Sequence, residues 1–413
     1  MRVTTDGVRD VLFSEAKEKK RIESTIRNVF KNRSYDEIIS PTLEFYNLFN
    51  QGAWPINEEV MYKLLDRKGN ILVLRPDMTL PIARIISSRM KSIITPTKVF
   101  YTCNVYRINE SLKGKLNEFT QGGIEIIGSS SIKADVEVIV TSINALKELG
   151  FSEFKIEIGH SGFYRAITRK LNLNKEKEKE LKELVENKNS LGIKNFLKDI
   201  HMNLGDKHVN LLTKLPNLFG NMDIIDEVES LIEDKDGKDA LEEIKNIYGL
   251  VDSLGLSKYL SIDLGMIQDI SYYTGLVLKG YVNNSGEIVL SGGRYDKLFE
   301  TFGEKIPATG MAINIDSLVK LVDVENKVKK KKILIWYESD FIKEGNYLYE
   351  ELGDTYKVEL CLLDSKEDCI KYFKEKSYDY LIEIGSLDKV YIRENKETTE
   401  INYDKVRNFF EGE

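Results

Sequence analysis

Four short clusters in this chain have the residue types and spacing to hold a small charged molecule. In Leu74-Arg75-Pro76-Asp77-Met78-Thr79 a strand ends, a proline stiffens the turn, and a carboxylate and a hydroxyl open a helix. Asp77 could bind an ammonium group there, and Asp77 and Thr79 would serve equally well as a helix N-cap. Residues 99–128 read as two strands joined by a polar loop containing Lys and Gly, a hairpin. Arg107 closes its first strand, and Gln121 and Glu125, four apart on the second, face the same side of the sheet. Polar side chains on that face line either a polar pocket or solvent. Tyr272 and Tyr273 lead into a strand within 263–275, where paired tyrosines pack as core with their hydroxyls reaching out. Ser291-Gly292-Gly293-Arg294-Tyr295-Asp296 is a glycine-rich turn feeding a helix. Such a glycine pair either admits a ligand close to backbone N–H groups or makes a tight turn.

The elements that position these clusters follow from hydrophobic periodicity. Ala16, Ile22, Ile26, Val29 and Phe30, set among Lys, Arg and Glu, predict a long helix over 11–31. A short strand over 35–40 ends at Pro41. Further strands are predicted at 70–75, 97–107, 117–127, 153–159, 260–264, 272–281, 286–291 and 308–314, with helices at about 78–90, 132–149 and 294–302. Runs of strands with few crossover helices favour a mostly antiparallel sheet, an α+β class. Residues 161–255, rich in Lys, Glu, Leu and Asn at 3.6-residue spacing, read as a helical insertion. A lysine run at 329–332, following Val328, marks a solvated joint. Beyond it, apolar runs at 333–337, 357–363 and 379–384 alternate with helical patterns at 341–352 and 365–376, a small α/β module. The expected organisation is a domain over 1–325 with its insertion at about 161–255, a linker at 326–332, and a second domain over 333–413.

Composition narrows the functional classes. At 413 residues the chain is long enough for two or three domains. With 42% hydrophobic and 31% charged residues and few prolines, it is neither disordered nor fibrous. It contains no run of about 18 apolar residues, and its first residues lack a secretory apolar core; a cytoplasmic location is expected. Cys103, Cys361 and Cys369 read as free thiols, and with only His160, His201 and His208 available a zinc site or a Ser/His/Asp triad has little to draw on. Neither a metal nor a cofactor is expected. A net charge of −7 disfavours non-specific nucleic-acid binding.

In their order and spacing the four clusters resemble the catalytic domain of histidine–tRNA ligase, a class II synthetase, over about residues 1–325. The Asp-Met-Thr turn, the hairpin ending in Glu-Phe-Thr-Gln, the Tyr-Tyr-Thr-Gly strand and the Gly-Gly-Arg-Tyr-Asp turn carry the resemblance. It implies a class II antiparallel sheet flanked by helices. It also implies that the tail from 333 is a shortened, diverged anticodon-binding module. In the binding pocket implied by the resemblance, Asp77, Thr79 and Gln121 hold the α-amino group of histidine and Glu125 with Tyr273 reads the imidazole. Tyr272 lines the wall, and Arg107 lies near the carboxylate.

The sequence departs from an active ligase where phosphate charge has to be stabilised. By resemblance, Ser317 stands at the arginine that holds ATP, and Gln268 at the arginine that stabilises the carboxylate during adenylation. A neutral amide or hydroxyl cannot supply that positive charge. Asp269, Ser271, Asn109, Glu110 and Asn117 replace further family residues. A domain with an amino-acid pocket but no nucleotide cations resembles the regulatory subunits of ATP phosphoribosyltransferase, a paralogous family. That resemblance implies a non-enzymatic role with no catalytic residues, in the first step of histidine biosynthesis. The implied partner is a short-form ATP phosphoribosyltransferase catalytic subunit, in a hetero-oligomer that contains a homodimer of this chain. L-histidine is the candidate ligand, and no tRNA or membrane partner is expected. A divergent histidine–tRNA ligase is the alternative, and a free-standing amino-acid sensor a third reading.

Overall fold

The computed structural model describes residues 4–411 except 51–55, 91–92, 110–114, 201–204, 268–272, 284, 323–329 and 395–396. Two compact units divide at Val322/Asp323. The first is built on a nine-stranded sheet ordered Asp36–Glu37, Thr97–Tyr106, Glu118–Ile127, Ala308–Asn314, Ile288–Arg294, Leu276–Val282, Phe154–His160, Leu260–Asp263 and Phe219–Gly220. Neighbours are antiparallel except the first pair and the pairing of Phe154–His160 with Leu260–Asp263. The fold is thus the expected α+β arrangement of the class II type.

Strand alternation divides the sheet into two faces with different duties. Phe100, Ile124, Ile126, Ile156, Ile158 and Ile313 point into one core. The helix Phe13–Asn32 packs there through Ile22, Ile26, Val29 and Phe30, beside the helix Ile132–Glu148, whose first turn is capped by the Ser131 hydroxyl accepting from the Lys133 N–H. The opposite face carries Val99, Tyr101, Val105 and Ile127, with the helix Thr79–Arg89 packed in the same core through Leu80, Ile82, Ala83 and Ile86. This second core is smaller, and polar residues interrupt it.

The predicted insertion consists of helices Ser161–Arg169, Lys175–Glu186, Ser190–Asp199, Asp206–Lys214, Asp223–Glu229 and Lys235–Ser253. Their buried residues, Leu181, Phe196, Leu211 and Ile244 among them, continue the first core without a break. The insertion also contributes the edge strand Phe219–Gly220 to the main sheet, paired to Asp263 and Ile262.

Several predicted elements differ in the structure. The helix expected at 294–302 is absent: the strand continues through Arg294, which pairs with Thr309, and only a short 3-10 turn follows at Leu298–Phe302. Arg294 explains this, because its guanidinium must reach Asp135 at 2.7 Å and the Ser129 carbonyl at 2.9 Å, and an extended backbone aims it there. The strand predicted at 35–40 pairs only over Asp36–Glu37, and the strand predicted from 272 begins at Leu276.

The second unit has a five-stranded sheet in the order Lys357–Leu360, Lys332–Tyr337, Tyr380–Ile384, Val390–Glu394 and Glu397–Ile401. Its first three strands are parallel and the last two form an antiparallel hairpin. Helices Ile342–Gly353 and Lys366–Glu375 supply the crossovers.

Arg294 is 5% exposed and Asp135 1%, so this ion pair is removed from water. Deleting one partner of a buried pair strands the other charge. Asp135→Ala is therefore expected to lower unfolding free energy by about 3 kcal/mol, measured by denaturant titration.

Candidate functional site

The hairpin strand Glu118–Ile127 sends Gln121 and Glu125 to the smaller-core face, where its neighbour Thr97–Tyr106 sends Tyr101. Asp77, Thr79, Arg107, Gln121, Glu125 and Tyr273 line a single cleft on that face. Tyr272 and Gln268 lie outside the described residues. The cleft has a volume of about 70 Å³.

Glu125 is the deepest charged group, 3% exposed. The Thr79 hydroxyl donates to its Oε1 at 3.1 Å, and the Tyr295 hydroxyl donates to its Oε2. Burial pushes its carboxyl up to about 8, against the pull of the two hydroxyl donors, and the nearby Asp77 carboxylate pushes the same way as burial. The Asp77 carboxyl is also raised by burial, opposed by the Arg107 guanidinium. Asp77 Oδ1 accepts from the Leu80 N–H at 3.3 Å, so this residue steadies the first turn of its helix and lines the cleft at once. Arg107 is held by its Nε donating to the Pro76 carbonyl at 2.7 Å.

Two glycines make room for the carboxylate and its neighbour. Gly310 pairs with Glu125 across the adjacent strand, and a Cβ there would lie 1.7 Å from Glu125 Oε2 and 2.4 Å from the Ile124 carbonyl oxygen. Gly123 pairs with Tyr101, and a Cβ would lie 2.5 Å from the tyrosine hydroxyl. Any side chain at either position would displace a polar group of the cleft.

A second groove of about 380 Å³ shares Arg107 with the cleft and is also lined by Phe119, Lys115, Asn314, Ser317 and Lys320. Asn117, beside it, is consumed internally: its Oδ1 accepts from the Asn109 N–H at 2.9 Å, and its amide donates to the Tyr62 hydroxyl at 3.0 Å and the Asp6 carbonyl at 3.2 Å. Asp316 is engaged by Lys19 at 2.8 Å and the Thr120 N–H at 2.6 Å. Lys320 sits 3.6 Å from Glu287.

The family model for histidyl-tRNA synthetase matches residues 7–318. The ATP phosphoribosyltransferase regulatory subunit of Clostridium botulinum is 44% identical over 395 residues, covering 95% of this chain and 94% of that protein. The protein of the same name from Bacillus cereus is 42% identical, covering 92% and 91%. The chain belongs to the histidyl-tRNA synthetase family, in the branch of ATP phosphoribosyltransferase regulatory subunits. A crystal structure from Bacillus halodurans, titled ATP phosphoribosyltransferase regulatory subunit/histidyl-tRNA synthetase, superposes with a TM-score of 0.81 at 33% identity, covering 94% of this chain and 99% of that one. A Nostoc histidyl-tRNA synthetase shares the fold, with a TM-score of 0.80 at 18% identity over 100% and 99% of the two chains.

In this family member, sequence reasoning missed Tyr101 and Tyr295 as cleft residues. Alternation carried a signal for Tyr101, which lies six positions before Arg107 and so on the same strand face. Tyr295 stood within the glycine-rich turn but was read as part of a helix; only the extended backbone through Arg294 brings its hydroxyl to Glu125.

The raised Glu125 carboxyl makes stability depend on pH. Folding holds a proton that the unfolded chain has lost, so the contribution is complete below about pH 4.5 and disappears as pH rises to about 8. The slope within that window reaches about 1.4 kcal/mol per pH unit. Glu125→Gln is expected to flatten this decline, so that the variant melts above the wild type at the alkaline end of a thermal-unfolding series and not at the acid end.

Proposed function

We propose that this chain is the non-catalytic regulatory subunit of an ATP phosphoribosyltransferase. It is required for activity of a short-form catalytic subunit in the first step of histidine biosynthesis, and it transmits feedback inhibition by histidine bound in the Glu125 cleft. The observation that carries this reading is the contrast between two adjoining sites. The amino-acid cleft has buried carboxyls, a guanidinium and phenolic hydroxyls converging on a small volume. The neighbouring groove has a serine hydroxyl at 317, and the amide at 117 near it is fully engaged, where the resemblance to the ligase implies arginines.

The cleft chemistry suits histidine. Asp77 offers negative charge to an ammonium group, and Arg107 offers positive charge to a carboxylate. Glu125 can accept from or donate to a ring nitrogen according to its protonation, and Tyr273 supplies a hydroxyl able to do either. Adenylate formation, by contrast, needs fixed cations to bring a phosphate and a carboxylate together. The names of the 41–44% identical relatives support the regulatory role.

Regulation requires that histidine bind one state of the assembly more tightly than another, because equal affinity shifts no equilibrium. The phosphoribosyl transfer itself belongs to the partner, and the proposed assembly is a cytoplasmic hetero-oligomer containing a homodimer of this chain.

Calorimetric titration of the isolated chain with histidine should give saturable heat that Glu125→Ala abolishes. ATP–pyrophosphate exchange should be absent, and mixing with a short-form catalytic subunit should restore phosphoribosyl transfer. Histidine esterified to tRNA by this polypeptide alone would overturn the assignment in favour of a divergent ligase.

A further inference from the structure

The segment carrying Tyr273 is held from one side by the first helix of the insertion. The Ser161 hydroxyl donates to the Tyr273 carbonyl at 3.0 Å, and the Ser161 N–H donates to the Gly275 carbonyl at 2.9 Å. One turn further along, Arg165 spreads its guanidinium over two consecutive carbonyls, Nη1 to Tyr273 at 3.0 Å and Nη2 to Thr274 at 2.9 Å. A planar fork of this kind fixes both the position and the orientation of the peptide it grips, which a single-point donor does not.

The same helix, Ser161–Arg169, is bound at its far end to the insertion. Arg169 pairs with Asp234 and Asp236, both at 2.8 Å, at the start of the helix Lys235–Ser253. His160, just before the helix, lies 3.4 Å from Glu243 on that same long helix. One short helix therefore touches both the cleft strand and the insertion.

We infer that Arg165 is a positioning residue for ligand binding: by clamping the Tyr273 and Thr274 carbonyls it sets where the Tyr273 side chain enters the cleft. Arg165 does not line the cleft, so its effect on affinity passes through Tyr273. This inference rests on the reading of the Glu125 cleft as a histidine site. The insertion thus takes part in that site through the Arg165 side chain of its first helix.

A double-mutant cycle on the full chain, read by histidine calorimetry, tests it. Arg165→Ala is expected to weaken histidine binding about tenfold, and Arg165→Lys, which can reach only one carbonyl, by an intermediate factor. In a Tyr273→Phe background the Arg165→Ala loss should shrink to about twofold or less, because residues acting through one group are non-additive. Arg169→Ala, which cuts the same helix from the insertion without touching the cleft strand, should leave affinity within about twofold. Equal losses from Arg165→Ala in both backgrounds, or a loss from Arg169→Ala matching that from Arg165→Ala, would overturn the positioning role alone. Absence of histidine binding by the wild-type chain would overturn the ligand reading and the positioning role together. Should Arg165→Ala fail to fold, the Arg165→Lys arm of the cycle decides the question on the same criterion.

Discussion

Burying the Glu125 carboxyl on a sheet face is the constraint around which this site is organised. A carboxylate taken out of water must be neutralised by a proton or met by a cation and hydrogen-bond donors. The protein supplies two hydroxyl donors, from Thr79 and Tyr295, and no cation in direct contact with the carboxylate among the described residues. Burial therefore pushes the group up to about 8 despite those donors. A ligand that presents an N–H or a positive charge completes what the fold leaves unfinished. The same burial dictates sequence elsewhere: Gly310 must lack a side chain because Glu125 Oε2 occupies the space where its Cβ would be.

The neighbouring groove is lined by Arg107, Lys115 and Lys320 together with Glu287 and Asp316. In it Asp316 is paired with Lys19 and the Thr120 N–H, and the nearby Asn117 is consumed by Asn109, Tyr62 and Asp6. Internally matched groups have little to gain from a polyphosphate, which would have to displace them. Arg107 alone faces both spaces, and its Nε is already fixed to the Pro76 carbonyl.

Much of this was legible from the sequence because it is local. The stripe Ile22, Ile26, Val29 and Phe30 announced the first helix, and the four-residue spacing of Gln121 and Glu125 placed both on one sheet face. What could not be read was long-range. Nothing local reveals that Arg294 pairs with Asp135, 159 positions earlier, and without that contact the stretch after Gly293 reads as a helix. The hairpin Val390–Glu394 and Glu397–Ile401 escaped notice because its outer strand is polar and largely exposed, with no apolar alternation to mark it. Tyr272 and Gln268, both central to the resemblance, fall outside the described residues.

The insertion's place in the molecule follows from where its chain leaves and rejoins the sheet. It departs at His160, the end of a central strand, and returns at Leu260–Asp263, which pairs in parallel with that same strand. Its first helix therefore has to lie against the strand entry that carries Tyr273, and Ser161 and Arg165 satisfy the carbonyls exposed there. Those carbonyls precede the ladder that begins at Leu276 and need donors from outside it. The connection is a property of how the chain is threaded: the strand end that starts the insertion and the segment that carries Tyr273 are neighbours in the sheet.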